Sequence, residues 1–119
     1  MLTYRQSTGE LFDDMKTFAT GYSGHLEGKN NPFKEKVRNV GPIPAGLWKI
    51  GEVYNSQRVG PFCIRLSPVE HDAHGRTAFL IHGDSRKNPG EASRGCIIMP
   101  RYIRKMIIEK GYTHLSVVP

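Results

Sequence analysis

The chain has 119 residues and a mass of 13.4 kDa, which suits a single domain, residues 1–119, with one hydrophobic core. Hydrophobic residues make up 38% of it and charged residues 24%, a balance that argues against an intrinsically disordered chain. The longest apolar run, residues 96–99, is too short to cross a bilayer, and the first residues lack the apolar stretch of a signal peptide. We therefore expect a globular protein made in the cytoplasm, without membrane insertion.

Positive charge is in excess and unevenly distributed. Seventeen Lys and Arg against eleven Asp and Glu give a net charge of +6. Residues 1–28 hold two basic and four acidic side chains, whereas residues 29–119 hold fifteen and seven. This surplus indicates an anionic partner, and nucleic acid, an acidic membrane surface and an acidic cell-wall polymer satisfy it equally, because net charge governs association and not chemistry.

Short alternating runs in the first two thirds of the chain are typical of β-strands. Residues 2–6 and 10–12 flank a Ser-Thr-Gly turn, which predicts a hairpin, and a third strand is expected around residues 16–22. Residues 24–44 mix Gly, Asn, Pro and Lys without periodicity, which predicts a loop over a functional site. Further strands are predicted at residues 48–54, 62–66 and 79–82.

One helix is predicted near the C-terminus. Pro100 suits its first turn, Gly111 suits its end, and one face carries the apolar residues Met99, Ile103, Met106 and Ile107. A last strand follows at residues 115–117. The fold class predicted is mostly β, a twisted β-sheet sandwich or flattened barrel with this one helix packed on it.

A histidine and a cysteine follow one another in the segment with the richest chemistry. The strand predicted at residues 79–82 ends on His82, and a turn at Pro89 and Gly90 is expected to reverse the chain before Cys96. An imidazole that accepts the thiol proton makes the cysteine a nucleophile. The amides of Gly95 and Cys96 would then face the oxygen of the attacked carbonyl, so the pattern predicts acyl transfer.

The second cysteine leaves an alternative open. Cys63 lies in an alternating run typical of a half-buried strand, where a small side chain serves packing. A single disulfide between Cys63 and Cys96 would silence both thiols, and the sequence alone does not decide between the two states.

Three other classes of protein share some of these features. A zinc enzyme would use His71, His74 and His82, yet the segment around the first two has loop composition, so we expect neither a metal nor another cofactor. Residues 86–110 hold seven Lys and Arg against two Glu, but without interleaved aromatics they predict a solvated basic face and no nucleic acid. In papain-like peptidases the cysteine precedes the histidine, the reverse of the order here.

The motifs resemble those of a known family. His82-Gly83 followed by Ser93-Arg94-Gly95-Cys96-Ile97 resembles the active-site signature of the YkuD-type L,D-transpeptidases, and residues 40–50 look like that family's Pro-x-Gly-x-aromatic-x-Ile segment. Nearly the whole chain is similar to the L,D-transpeptidase-like effector domain of type VI secretion systems, through residues 21–24, 28–32, 39–44 and 79–84.

This resemblance implies the L,D-transpeptidase fold and a cysteine enzyme that acts on the tetrapeptide stem of peptidoglycan. It would be an L,D-carboxypeptidase, an L,D-transpeptidase that exchanges D-amino acids, or both. Cys96 would be the nucleophile and His82 the general base. The carbonyl of Gly83 would orient the histidine, with Asp84 as a rival that is equally suited to capping the next turn, and Ser93 would shape the loop around the cysteine.

The resemblance also implies substrate contacts and partners. Position 98 is Ile where many members of the family have Arg or His, so Arg94 or Arg101 would have to replace that contact. Delivery by a secretion apparatus to the periplasm of a target bacterium, and a cognate immunity protein, are implied as well. Residues 22–44 would form a covering loop over the site, and it offers further candidates for contacting polar wall material, namely Tyr22, Lys29, Asn30 and Asn31.

Overall fold

The computed structural model describes all 119 residues, Met1–Pro119. The strands are β1 (Leu2–Arg5), β2 (Glu10–Asp13), β3 (Lys16–Thr20), β4 (Tyr22–Ser23), β5 (Gly46–Ser56), β6 (Gly60–Val69), β7 (Phe79–His82), β8 (Ile97–Ile98) and β9 (His114–Val118). One α-helix, α1, spans Arg101–Glu109, and short 3-10 turns lie at Leu26–Gly28, Pro32–Lys34 and Ala73–Gly75.

All nine strands belong to one mixed sheet in the order β3-β2-β1-β9-β5-β6-β7-β8-β4. The two strands at the ends of this order, β3 and β4, are separated along the chain by Gly21 alone. The sheet must therefore curl until its two edges adjoin, although β3 and β4 do not pair. The prediction of a mostly β fold with one helix near the C-terminus is confirmed.

The third predicted strand, residues 16–22, is broken at Gly21. A β carbon on this glycine would lie 1.8 Å from the carbonyl oxygen of Ile98, so only glycine allows the approach. The chain leaves the edge of the sheet there, and β4 pairs with β8 through Tyr22 opposite Ile98. This break brings Tyr22 and Ser23 to the region of the predicted active site.

The core lies between the curled sheet and α1. Its largest fully buried side chains include Trp48, Tyr4 and Leu2, and Ile103 and Ile107 of the helix are 3% and 0% exposed. The predicted apolar face of the helix therefore packs inward. Pro100 caps the helix instead of occupying its first turn. No helix in the structure combines the length and hydropathy that a membrane span requires.

The connection between His82 and Cys96 corrects one expectation. A simple reversal at Pro89 and Gly90 would make the flanking strands antiparallel, whereas β7 and β8 are parallel neighbours. The chain must first return to the starting end of β7 before it enters β8, which explains the length of this connection. Six residues of this connection line cavities at the predicted site: Gly83, Asp84, Arg86, Ala92, Arg94 and Gly95.

Candidate active site

The pairing of β7 and β8 brings His82 and Cys96 to the same face of the sheet. Ile81 lies opposite Ile97 and His82 opposite Ile98, so Cys96, which immediately precedes β8, comes level with Leu80. Because side chains alternate along a strand, positions 80 and 82 of one strand and 96 and 98 of the other point the same way. Both His82 and Cys96 line a single cavity of about 480 Å³.

The imidazole of His82 is held in one tautomer. Its side chain is 2% exposed, and its Nδ1 lies 2.8 Å from the carbonyl oxygen of Gly83. Since a carbonyl oxygen only accepts, Nδ1 carries the proton and donates it, which leaves a lone pair on Nε2. Burial lowers the pKa of His82, partly opposed by the bond to Gly83, so the ring is neutral at neutral pH.

Cys96 is a protonated thiol at rest. Burial raises its pKa, against the lowering influence of the Leu80 amide and of the charges on Arg58 and Arg76. Its Sγ is 3.7 Å from the carbonyl oxygen of Ala78, to which it donates.

The cavity around the two side chains is cationic. Four arginines line it, Arg38, Arg58, Arg76 and Arg94, and no carboxylate does. Arg76 is buried, whereas the other three are exposed at the rim. Low-dielectric walls with charges of one sign concentrate the electrostatic potential, so this cavity favours an anionic ligand.

Ser93 organises the peptide that carries the cysteine. Its buried hydroxyl donates to the carbonyl oxygen of Cys96 at 2.6 Å and accepts from the amides of Gly24 at 2.8 Å and Gly95 at 3.1 Å. The amide of Gly95, predicted to face a reacting carbonyl, is thus already committed to this loop. Of the two amides predicted to face the carbonyl oxygen, this leaves the amide of Cys96 alone.

A second buried serine, Ser23, ties the same loop to Ile43 of the covering loop. Its hydroxyl donates to the carbonyl oxygen of Gly95 at 3.0 Å and accepts from the amide of Ile43 at 2.9 Å. Its side chain is 0% exposed, so both bonds form in a dry environment, where leaving either partner unsatisfied is costly. Nothing in the sequence marks Ser23 as a residue of the site, although it directly follows Tyr22.

Arg76 is the main residue that sequence reasoning missed. Its guanidinium donates through Nη1 to the carbonyl oxygens of Glu35 and Pro42, and through Nη2 to those of Gly41 and Arg94, at 2.6 to 3.3 Å. It therefore joins the covering loop to the loop of the cysteine. The only signal in the sequence is a lone arginine in a segment of loop composition, which does not distinguish it from surface cations.

The carboxylate of Asp84 does not contact the imidazole. It accepts hydrogen bonds from the hydroxyl of Tyr22 and from the amides of Ser85 at 2.8 Å and Gly90 at 3.1 Å. Tyr22 in turn accepts from the amide of Ala92 at 2.9 Å. Of the two predicted roles of Asp84, this geometry corresponds to capping the turn, while the histidine faces Gly83.

Residues predicted to contact substrate from the covering loop make internal contacts instead. Lys29 donates to the carbonyl oxygen of Gly90 at 2.9 Å and lies 4.3 Å from the centre of the Tyr22 ring. The side chain of Asn30 accepts from the amide of Ser23 at 3.2 Å, and that of Asn31 caps a 3-10 turn. None of Tyr22, Lys29, Asn30 and Asn31 lines the cavity.

Other parts of the covering loop do reach the site. Arg38 and Asn39 line the cavity, together with Arg94 from the cysteine loop. Arg101, the other candidate to replace a cation at position 98, lies at the start of α1 and lines a separate cavity. Of the four arginines of the site, Arg94 alone belongs to the motif, and Arg38, Arg58 and Arg76 come from positions that the motif did not indicate.

The remaining histidines and the second cysteine lie elsewhere. Nε2 of His71 is 3.0 Å from the carbonyl oxygen of Leu47, and Nε2 of His74 is 2.7 Å from Glu35. They do not converge with His82, and no group of three metal-ligating side chains is found. Cys63 and Cys96 are both free thiols, with Cys63 fully buried.

Comparison with known families identifies an L,D-transpeptidase-like domain of the kind found in type VI secretion effectors. Residues 17–118 match the family model of the Tlde1 domain, and the chain belongs to that family. No curated protein matches the chain. The matching model is that of the effector domain, so the likeness to the wider YkuD-type family stays a prediction.

Proposed function

We propose that this effector domain is a cysteine enzyme that cleaves the tetrapeptide stem of peptidoglycan by acyl transfer. The observation that carries the proposal is the placement of Cys96 and His82 on one face of β7 and β8, at the wall of one cationic cavity, with Nδ1 of the histidine bound to Gly83. A nucleophile, a base and a group that orients the base are the parts that such a reaction needs.

In the first step Sγ of Cys96 attacks the carbonyl carbon at the L-centre of the diamino acid in the stem. Nε2 of His82 takes the thiol proton as the new carbon–sulfur bond forms, and then gives it to the nitrogen of the departing D-Ala. The products are a thioester on Cys96 and free D-Ala. The raised pKa of the thiol and the lowered pKa of the imidazole favour proton transfer during attack over a preformed ion pair.

In the second step the thioester is resolved. Attack by water, with His82 as the base, releases a tripeptide stem, which is the L,D-carboxypeptidase outcome. Attack by the amine of a D-amino acid replaces D-Ala, which is the exchange outcome. In both cases the thiol recovers its proton from the imidazole.

The charge of the cavity suits this substrate. Peptidoglycan stems carry several carboxylates, and the four arginines around Cys96 offer donors without a competing acid. Exposed Arg38, Arg58 and Arg94 at the rim are placed to bind or steer such groups. Loss of tetrapeptide donors would weaken cross-linking in the periplasm of a target bacterium, and an immunity protein that blocks the cavity is the expected partner.

The direct test is incubation of the purified protein with tetrapeptide muropeptides, with and without a free D-amino acid, followed by mass spectrometry. The wild-type protein is expected to yield a tripeptide, an exchanged tetrapeptide, or both. Cys96→Ala and His82→Ala should yield neither product. Unchanged muropeptides with folded wild-type protein, or full activity in Cys96→Ala, would refute the proposal.

A matched control comes from the other thiol. Cys63 is fully buried in β6 and lines neither cavity described here. Cys63→Ala removes a sulfur without touching the site, so it should keep the activity while costing some stability through the lost packing. If Cys63→Ala lost as much activity as Cys96→Ala, the assignment of Cys96 as the nucleophile would be contradicted.

A further inference from the structure

A second cavity lies beside the one that contains the thiol. It has a volume of about 430 Å³ and is lined by Arg86 of the connection after β7, by Arg101 and Arg104 of α1, and by the Gly83-Asp84 segment. The activity proposed above does not use it. Three arginines converging on one cavity outside the predicted catalytic pair require an explanation.

Arg104 is the residue on which the second cavity is built. Its side chain is 6% exposed, and its guanidinium donates through Nε to Met99 O and through Nη1 to Pro61 O and Phe62 O, at 2.8 to 3.1 Å. All three acceptors are uncharged carbonyls, and no carboxylate forms an ion pair with this cation. Nη2 makes no hydrogen bond and lies against Gly83, where a β carbon would come within 2.8 Å of it.

The charges around this atom favour an anion. Arg86 and Arg101 are exposed at the cavity and take part in no ion pair. The single acid in the lining, Asp84, already accepts from the Tyr22 hydroxyl and from two backbone amides. The first turn of α1 also begins at this cavity, and helix N-termini attract negative charge.

The two cavities adjoin at the predicted catalytic histidine. Val59 lines both of them, and His82 lines the first while the next residue, Gly83, lines the second. A molecule bound in the second cavity therefore lies next to the peptide that orients the imidazole. A ligand there has the position of part of a substrate, and a planar anion matches the forked donors of arginine.

We propose that this second cavity, formed by Arg86, Arg101 and Arg104, is a carboxylate-binding subsite of the enzyme. This inference rests on the function proposed above. Two sources supply the same chemistry: a carboxylate of the stem peptide itself, or the carboxylate of the free amino acid whose amine resolves the thioester. The subsite therefore determines specificity for one of the two substrates, and kinetics distinguish them.

The kinetic test uses Arg101→Glu, because Arg101 is exposed and makes no structural hydrogen bond, unlike Arg104. If the stem carboxylate binds here, the KM for tetrapeptide hydrolysis rises about tenfold; if the amino acid binds here, the KM for the acceptor in the exchange reaction rises about tenfold instead. Arg86→Glu should act in the same direction. Changes below about twofold in both KM values, for both variants, would overturn the subsite.

The matched control is Lys105→Glu. Lys105 is exposed on the same helix, one turn from Arg101, and lines neither cavity, so the same charge reversal there should leave both KM values unchanged. If Lys105→Glu raised a KM as much as Arg101→Glu does, the effect would be one of net charge, and the subsite would be rejected.

A binding test separates this proposal from the proposed function. D-alanine is titrated into Cys96→Ala protein, and the NMR resonance of the Arg104 Nε–H group is followed. A saturable shift that Arg101→Glu weakens supports the subsite even if the wild type lacks activity, which would refute the function alone. The opposite result is also possible: the wild type is active, Arg101→Glu leaves both KM values unchanged, and D-alanine causes no shift. That result refutes the subsite and leaves the proposed function standing.

Discussion

Nη2 of Arg76 donates to the carbonyl oxygen of Arg94 at 3.3 Å, which ties a buried guanidinium to the loop that leads into Cys96. The same nitrogen donates to Gly41, on the covering loop, at 3.0 Å. Two loops that are distant in sequence therefore share one cation. Because the acceptors are neutral carbonyls, the full charge of Arg76 stays available beside the thiol, where it lowers the pKa of Cys96 against the effect of burial.

Replacing Arg76 should disturb both loops at once. Arg76→Lys keeps the charge but cannot reach four carbonyl oxygens with one ammonium group, so it should lower the free energy of unfolding by about 2 to 3 kcal/mol. Urea denaturation and the rate of D-Ala release measure the two effects. Arg65→Lys, at an exposed pair with Glu52, is the control and should change stability by less than about 0.5 kcal/mol. Equal effects of the two substitutions would contradict the role given to Arg76.

Gly95 should not tolerate a side chain. Its φ is +135°, and a β carbon would lie 2.5 Å from Nη2 of Arg76 and 3.1 Å from the ring of Phe79. Gly95→Ala should therefore destabilise the protein by about 2 kcal/mol or more and abolish turnover. Gly111→Ala is the control, because Gly111 has φ +74°, has nothing within 4 Å of the added carbon and lines neither cavity. A Gly95→Ala variant as stable and active as Gly111→Ala would show that the loop adapts.

Removing the hydroxyl of Ser93 should misplace the thiol without removing it. Ser93→Ala leaves the buried amide of Gly24 and the carbonyl oxygen of Cys96 without their partner, at a cost of about 1 to 3 kcal/mol. We expect the kcat to fall by about tenfold or more, since small displacements of a nucleophile are costly. Ser67→Ala, at an exposed position of β6, is the control for stability and rate. An unaltered kcat would show that Ser93 has only a structural effect.

The dependence of kcat/KM on pH should report the buried histidine. The base must be unprotonated, so activity is present above the pKa of His82 and is lost as the pH falls through it. Because burial lowers that pKa, the acid limb should have its midpoint below about 6.5, and no alkaline limb should appear below about pH 8.5, since burial raises the pKa of Cys96. Initial rates of D-Ala release test this, with thermal melts at each pH to exclude unfolding. An acid midpoint at or above about 6.5 would contradict the assignment.

The two thiols should differ in their reaction with iodoacetamide. Cys96 is partly exposed in the cavity, whereas Cys63 is 0% exposed. Alkylation of native protein, followed by peptide mass spectrometry, should modify Cys96 alone, and the reaction should be slow at neutral pH because the thiol is protonated. When the protein is denatured, Cys63 becomes accessible and should then be alkylated as well. Modification of Cys63 in the native protein, or of neither thiol, would contradict the described burial.

Much of the fold was predictable because local pattern and tertiary environment agree. The hairpin of β1 and β2, the alternation in β5 and β6, the short apolar run of β7 and the apolar face of α1 all follow from patterns that are visible in a short window of sequence. β8 was missed because it consists of two residues, Ile97 and Ile98, and is too short to show an alternating pattern. The break at Gly21 was missed because it depends on how closely Ile98 approaches.

The identity of the predicted nucleophile and base came from local motifs, since His82-Gly83 and Ser-Arg-Gly-Cys are contiguous in the chain. The residues that surround these two in the folded protein could not be identified from local motifs. Arg58 and Arg76 reach the cavity from β5–β6 and from the segment before β7, and nothing in their neighbours along the chain marks them. Conversely, Tyr22 and Lys29 come from a segment that resembles the family, yet their polar atoms are used inside the fold.

The sequence by itself therefore determined the fold class, the succession of most strands, the single helix and the two residues whose chemistry suits acyl transfer. Only the tertiary structure decided the parallel pairing of β7 with β8, the tautomer of His82, the arginines that line each cavity, and the turn-capping contacts of Asp84. The physical reason is range: periodicity and motifs act over a few residues, whereas a cavity is assembled from side chains that are dozens of positions apart and meet only when the sheet curls.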